Sequence, residues 1–140
     1  MNAKSLQKRV DNAFKRVGGM DRVVYIRSYT SDPTSDALTG RESSEFTDSL
    51  ITPQPAYHQL AKREVMYLTN NGKKVSADDY KIDISPLAIT DDILDDPTTE
   101  FVLKGNGSEE VLRIVYDNSV GYQGVTALYS VIARSVSNSA

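Results

Sequence analysis

Residues 98–135 read TTEFVLKGNGSEEVLRIVYDNSVGYQGVTALYSVIARS, and this stretch decides the fold class. Phe101 to Leu103 is a short apolar run, and Lys104 to Ser108 (KGNGS) is a hairpin turn. From Glu110 to Asp117, Leu112, Ile114 and Tyr116 alternate with Val111, Arg113 and Val115, which is the period of a strand. The run NSVGYQG turns the chain again. Val125 to Arg134 then carries apolar residues on both faces: Val125, Ala127, Tyr129, Val131 and Ala133 on one, Leu128 and Ile132 on the other. Such a strand needs cover on both sides. The N-terminal helix, another sheet layer or a neighbouring subunit is each able to supply the second cover.

Upstream, Tyr80, Ile82 and Ile84 alternate with Lys81, Asp83 and Ser85, a half-buried strand that Pro86 closes and that Leu87 and Ile89 extend as an edge. Thr90 reads as an N-cap, with Asp91 and Asp92 suited to a helix N-terminus and Pro97 ending the turn. Asn70-Asn71-Gly72 signals a tight hairpin. Tyr57 to Leu68 fits a helix or a strand equally well. Pro53 and Pro55 exclude a central strand before it. Phe46 to Ile51 reads as a short strand and Asp21 to Thr30 as a longer one. The polar run between them is a solvated loop of a length that is usually functional or disordered.

At the N-terminus, Leu6, Val10, Phe14 and Val17 form one apolar stripe from Ser5 to Val17, stopped by Gly18-Gly19. This helix either packs on its own domain or also touches a partner subunit. The fold expected is therefore mainly β: a small antiparallel β-barrel or sandwich of six or more short strands, with an N-terminal amphipathic helix and long loops. Residues 1–20 hold the helix, 21–135 the β-domain and 136–140 a flexible polar tail.

The 140 residues suffice for one domain with an unstapled core, and cysteine is absent, so disulfides and thiolate chemistry are excluded. No apolar run reaches the length of a membrane span and no signal-peptide core precedes the helix, so synthesis in the cytosol is expected. Net charge is −3, which argues against a generic nucleic-acid binder. The charge is nevertheless polarised. Lys4, Lys8, Arg9, Lys15 and Arg16 crowd the first helix, while Asp78, Asp79, Asp83, Asp91, Asp92, Asp95, Asp96 and Glu100 crowd the middle. In a ring of identical subunits such polarity repeats as charged bands.

No catalytic set emerges. His58 is the single histidine and reads as a surface residue. Asp91-Asp92 and Asp95-Asp96 lack the alternate-position spacing and the glycine of a calcium loop, so they read as a solvated helix end. Gly105 to Ser108 is not a phosphate loop, and neither a nucleophile elbow nor a zinc-protease motif occurs. A non-enzyme without cofactor or metal is expected. The eight tyrosines lie mostly in strands, in core or interface positions.

From Asp21 to Ser135 the order of segments resembles the head-closure (head–tail connector, or neck) proteins of tailed bacteriophages. The resemblance rests on RVVYIRSYT (22–30) and its polar loop, where Asp32-Pro33-Thr34 and Leu38-Thr39-Gly40 match a split D-P-x-T-G-like run. It continues in GKKVSADDYKIDIS (72–85), with Ala77-Asp78-Asp79 in place of the family's Gly-Asp turn. It ends in VLRIVYDNSVGYQGVTALYSVIARS (111–135), with Leu112 where the family has Tyr. It implies a ring, commonly a hexamer, in the neck of the virion and assembled in the host cytoplasm. Its partners are further copies of itself, a portal or adaptor above, a tail terminator or tail tube protein below, and packaged DNA held in the lumen without sequence specificity. Leu6, Arg9, Val10, Phe14, Lys15 and Arg16 are then interface candidates. Asp32, Pro33, Leu38, Thr39, Pro53, Pro55, Tyr57, Asn71, Lys73 and Lys74 are candidates for loops that reach the lumen or a neighbouring ring. A tail-terminator or tail-completion ring and a monomeric β-sandwich ligand-binding module are the rival expectations.

Overall fold

A computed structural model of the chain describes residues 2–16, 21–29 and 46–136. In chain order the elements are α1 (Ala3–Arg16), β1 (Val23–Tyr29), β2 (Phe46–Leu50), β3 (Ala56–Gln59), α2 (Lys62–Asn70), β4 (Tyr80–Ile84), α3 (Asp91–Asp95), β5 (Glu100–Gly105), β6 (Ser108–Asp117), β7 (Val120–Tyr122) and β8 (Val125–Ser135). The protein is mainly β, as the alternating segments predict. Eight strands form one sheet in the order β2-β1-β5-β6-β8-β4-β3, with β7 added to β8. Every pair is antiparallel. The sheet is rolled, but hydrogen bonding does not close it into a barrel.

The turns explain the connectivity of the C-terminal half. Asn106 and Gly107 have φ of 54° and 75°, and Gln123 and Gly124 have 50° and 82°. Two successive left-handed residues are the signature of the hairpin turn whose twist matches that of its strands. They join β5 to β6 and β7 to β8. The run read only as a turn between β6 and β8 thus contains the short strand β7.

One face of the sheet makes the core. Register places Val24 opposite Leu103, Phe101 opposite Leu112, Ile114 opposite Ala133, Val131 opposite Ile82, and Ile82 opposite Tyr57. Val24, Phe101, Leu103, Leu112, Ile82 and Val131 are completely buried in one cluster. Strands from both ends of the order meet in that cluster, which is what rolls the sheet. The strap after β2 lines the same core: Ile51, Pro53 and Pro55 are buried. Its Gln54 side chain takes a place in the ladder of β1. The Val24 amide donates to Gln54 Oε1 at 2.8 Å, and Gln54 Nε2 donates to the carbonyls of Val24 at 3.1 Å and Ile51 at 2.8 Å.

Both ends of the core carry polar closures. At one, Arg22 lies over the rings of Tyr57 and Tyr80 and donates to Glu110 at 2.8 Å and to the Tyr80 hydroxyl at 3.1 Å. The Tyr57 hydroxyl donates to Asp21 at 2.7 Å. At the other, Ile89 and Leu94 sink into the core and fix the segment around α3. There the Tyr129 hydroxyl donates to Asp91 at 2.5 Å, and burial followed by this bond pushes the phenol up to about 12.

Several local expectations change. Asn70-Asn71-Gly72 does not make a hairpin; it ends α2, where Asn71 and Gly72 donate to the last carbonyls of the helix and Gly72 has φ of 82°. The ambiguous segment from Tyr57 splits into an edge strand and a helix. Leu87 and Ile89 do not extend β4, because Pro86 turns the chain and the Ala88 amide donates to Ser85. Thr90 caps α3 by position only, since its hydroxyl donates to the Asp92 side chain and not to the backbone.

Candidate functional site

α1 leans on its own domain. Leu6, Val10 and Phe14 are half-buried, and none belongs to the core cluster. The specific attachments are polar. Gln7 Nε2 donates to the Thr126 carbonyl at 2.7 Å, and the buried Asp11 accepts from the Ser85 hydroxyl and from Lys15 at 3.2 Å. These bonds hold Asp11 ionised, its pKa lowered first by Ser85 against the effect of burial. Arg9, Lys15 and Arg16 point to solvent.

The loop candidates separate into three groups. Asp32, Pro33, Leu38 and Thr39 lie outside the described residues. Pro53, Pro55 and Tyr57 are buried within the subunit, because the strap that carries them is a wall of the core. They are therefore not projecting contacts. Asn71, Lys73 and Lys74 are exposed.

Carboxylates are spread out, each with its own surroundings. Among the described residues no group of three or more His, Asp or Glu is arranged to hold a metal. His58 is exposed and meets Glu64 at 3.0 Å, while Glu64 also accepts from the Ala61 amide at 2.9 Å.

The outer face of the sheet carries a row of charged residues, alternating in sign over its first four members, that sequence reading missed. Asp48, Arg27, Glu100, Arg113 and Arg134 are consecutive register partners across five strands. Arg27 grips Asp48 with two bonds of 2.8 and 3.1 Å and also contacts Glu109. Lys104 reaches Asp48 at 2.8 Å, Arg113 reaches Glu100 at 2.9 Å, and the Tyr29 hydroxyl donates to Glu100. Arg134 ends the row in a fork on Asp79, at 2.8 and 3.0 Å, and Asp79 has no exposed surface. Arg27, helped by Lys104 and opposed by burial, holds Asp48 down to about 2. Each member alone looks like an ordinary outward polar position. Only the register, set by residues tens of positions apart, lines them up.

Beyond the row, towards β4, the same face is open. A groove of about 350 Å3 runs between α2 and the sheet, walled by Leu60, Tyr67, Leu68, Tyr116 and Ile132, with Arg63, Glu64 and Lys81 on its rim. Ile132 is almost fully buried there, so the second face of β8 finds part of its cover within the subunit. Lys73 Nζ stands 4.9 Å from the centre of the Tyr116 ring. The Tyr116 hydroxyl is shielded from solvent and has no hydrogen-bond partner among the described residues, and its pKa is raised by burial.

Exposed large apolar side chains fall in separate places: Phe46 and Leu50 on β2, Met66 and Tyr67 on α2, Leu87 in the turn after β4, and Val120 and Tyr122 on β7. No family model, no curated protein and no solved structure matches the chain.

Proposed function

We propose that the protein is a non-enzymatic structural subunit of a tailed-phage neck, assembling into a ring between the portal or its adaptor and the tail. The supporting observation is the distribution of exposed apolar side chains. Tyr67 on α2 is 68% exposed, Leu50 on β2 57% and Leu87 after β4 54%, and they occupy different parts of the surface. A contact that buries unlike patches against each other is head-to-tail, and such contacts close into rings when the rotation permits. Burial of tyrosine and leucine at these places suits a subunit interface. Packaged DNA passes through the lumen of the ring in this reading, held without recognition of sequence. The similarity of residues 21–135 to head-closure proteins supports the same role.

The test is the location and symmetry of the protein in purified virions, by electron microscopy with labelled chain. A closed ring directly beneath the portal layer is expected. Absence from particles overturns the virion reading, and a place at the far end of the tube overturns the neck reading in favour of a tail-completion ring. A strictly monomeric protein that binds a small ligand in the α2 groove supports the binding-module rival instead.

A further inference from the structure

We infer that the groove between α2 and the outer face of the sheet receives the segment Leu87–Asp95 of a second copy of this chain. This deepens the ring reading by naming its contact. Two features of the groove point to that occupant. Its walls are aromatic and aliphatic. Its rim is mainly basic: Arg63 and Lys81 line it beside a single carboxylate, Glu64, which is already engaged by His58 and the Ala61 amide, and Lys73 stands next to it over the Tyr116 ring; Arg63 and Lys73 have no carboxylate partner among the described residues. A matching segment therefore brings an apolar side chain with carboxylates close behind it.

The turn after β4 and the helix α3 have that chemistry. Leu87 is exposed, and Asp92 and Asp95 follow it on an exposed surface with no ion-pair partner among the described residues. The segment is not a loose loop, since Ile89 and Leu94 anchor it in the core and Asp91 is bonded to Tyr129. Its anchors lie on the inner-face core, whereas Ile132 and Lys81 place the groove on the outer face. One subunit therefore offers both halves of the contact in different directions, which makes the contact heterologous. Charge of opposite sign on the two halves also selects the register.

The absence of cysteine makes the contact easy to trap. Full-length Leu87→Cys and Tyr67→Cys chains, both altered at exposed positions, are mixed under mild oxidation, alone and on portal-bearing heads. The expected product is the mixed disulfide dimer, well in excess of either symmetric dimer. Adding Arg63→Glu and Lys73→Glu to the Tyr67→Cys chain should cut its yield at least about tenfold. Adding Asp92→Lys and Asp95→Lys to the Leu87→Cys partner should then restore it. Symmetric dimers only, no dimer, or a yield insensitive to the charge reversals each overturns the contact. A ring seen on the heads without the mixed disulfide leaves the neck reading standing and removes only this interface. Loss of the ring itself removes both.

Discussion

The two ends of the sheet's outer face hold similar side chains in opposite states. Towards β2, Arg27, Asp48, Lys104 and Glu109 satisfy one another, Glu100 is satisfied by Arg113 and Tyr29, and Arg27 and Glu100 are buried although charged. Towards β4 and α2, Arg63 and Lys73 face solvent beside apolar walls, and a tyrosine hydroxyl is left without a partner. Burying a charge is tolerable when it is paired and hydrogen-bonded. The first region is therefore complete inside one chain. The second has unpaired cations beside exposed apolar walls, the inventory of a surface finished by something else.

The largest effect is expected where the charged row ends on β8, at the border between the two regions. Asp79→Ala removes a fully buried carboxylate that anchors the Arg134 fork and accepts from the Ser76 amide. Breaking a buried pair costs about 3–5 kcal/mol, and the partial exposure of Arg134 reduces this to about 2–4 kcal/mol. Urea unfolding with an unchanged slope should report it. A loss under about 0.5 kcal/mol would mean that the row is decorative, on the scale of an ordinary surface ion pair.

Acid acts next. Asp48 has a folded pKa of about 2, below its ordinary value of 3.8. Its contribution is complete above about pH 4 and is lost as pH falls through the window from about 4 to about 2. After allowance for screening this amounts to about 1–2 kcal/mol. Asp48→Asn should flatten that part of the stability–pH curve and leave the neutral region lower, as read by thermal melts across the window. A curve of unchanged shape in the variant would assign the acid loss elsewhere.

The smallest effect belongs to the open region. Tyr116→Phe deletes an unsatisfied buried hydroxyl, so the isolated subunit should be unchanged or more stable by up to about 1 kcal/mol. A destabilisation of more than about 1 kcal/mol, measured by chemical denaturation, would mean that the hydroxyl is already paired in the single chain.

The sheet was legible because its signals are short-range. Tyr80-Ile82-Ile84 and Leu112-Ile114-Tyr116 announce their faces within a few residues, and the Asn106-Gly107 turn fixes its hairpin locally. The α1 stripe was equally plain. What it packs against was not, since its attachments are Gln7 and Asp11 reaching Thr126 and Ser85, far along the chain. Asp79 reads as one more acid in a turn until Arg134, fifty-five positions later, closes on it. The groove was hidden for the same reason: Tyr67, Lys81, Tyr116 and Ile132 meet only after β4, β6 and β8 have paired. Pro53 and Pro55 misled because proline in a polar-looking segment suggests a projecting loop. Here, rigid and donor-free, they suit a wall that has no ladder to donate to.

Gln54 gives that wall a mechanical property. Two paired strands can shift only in steps of two residues, because a single step turns every side chain to the wrong face. An amide at the end of a flexible side chain is free of that rule. Where β2 stops and the strap begins, the strap meets β1 through Gln54, a buckle that fastens the two segments without a shared strand register. One side chain thus lets the chain leave the sheet and become a wall of the core while Val24 keeps both of its hydrogen bonds.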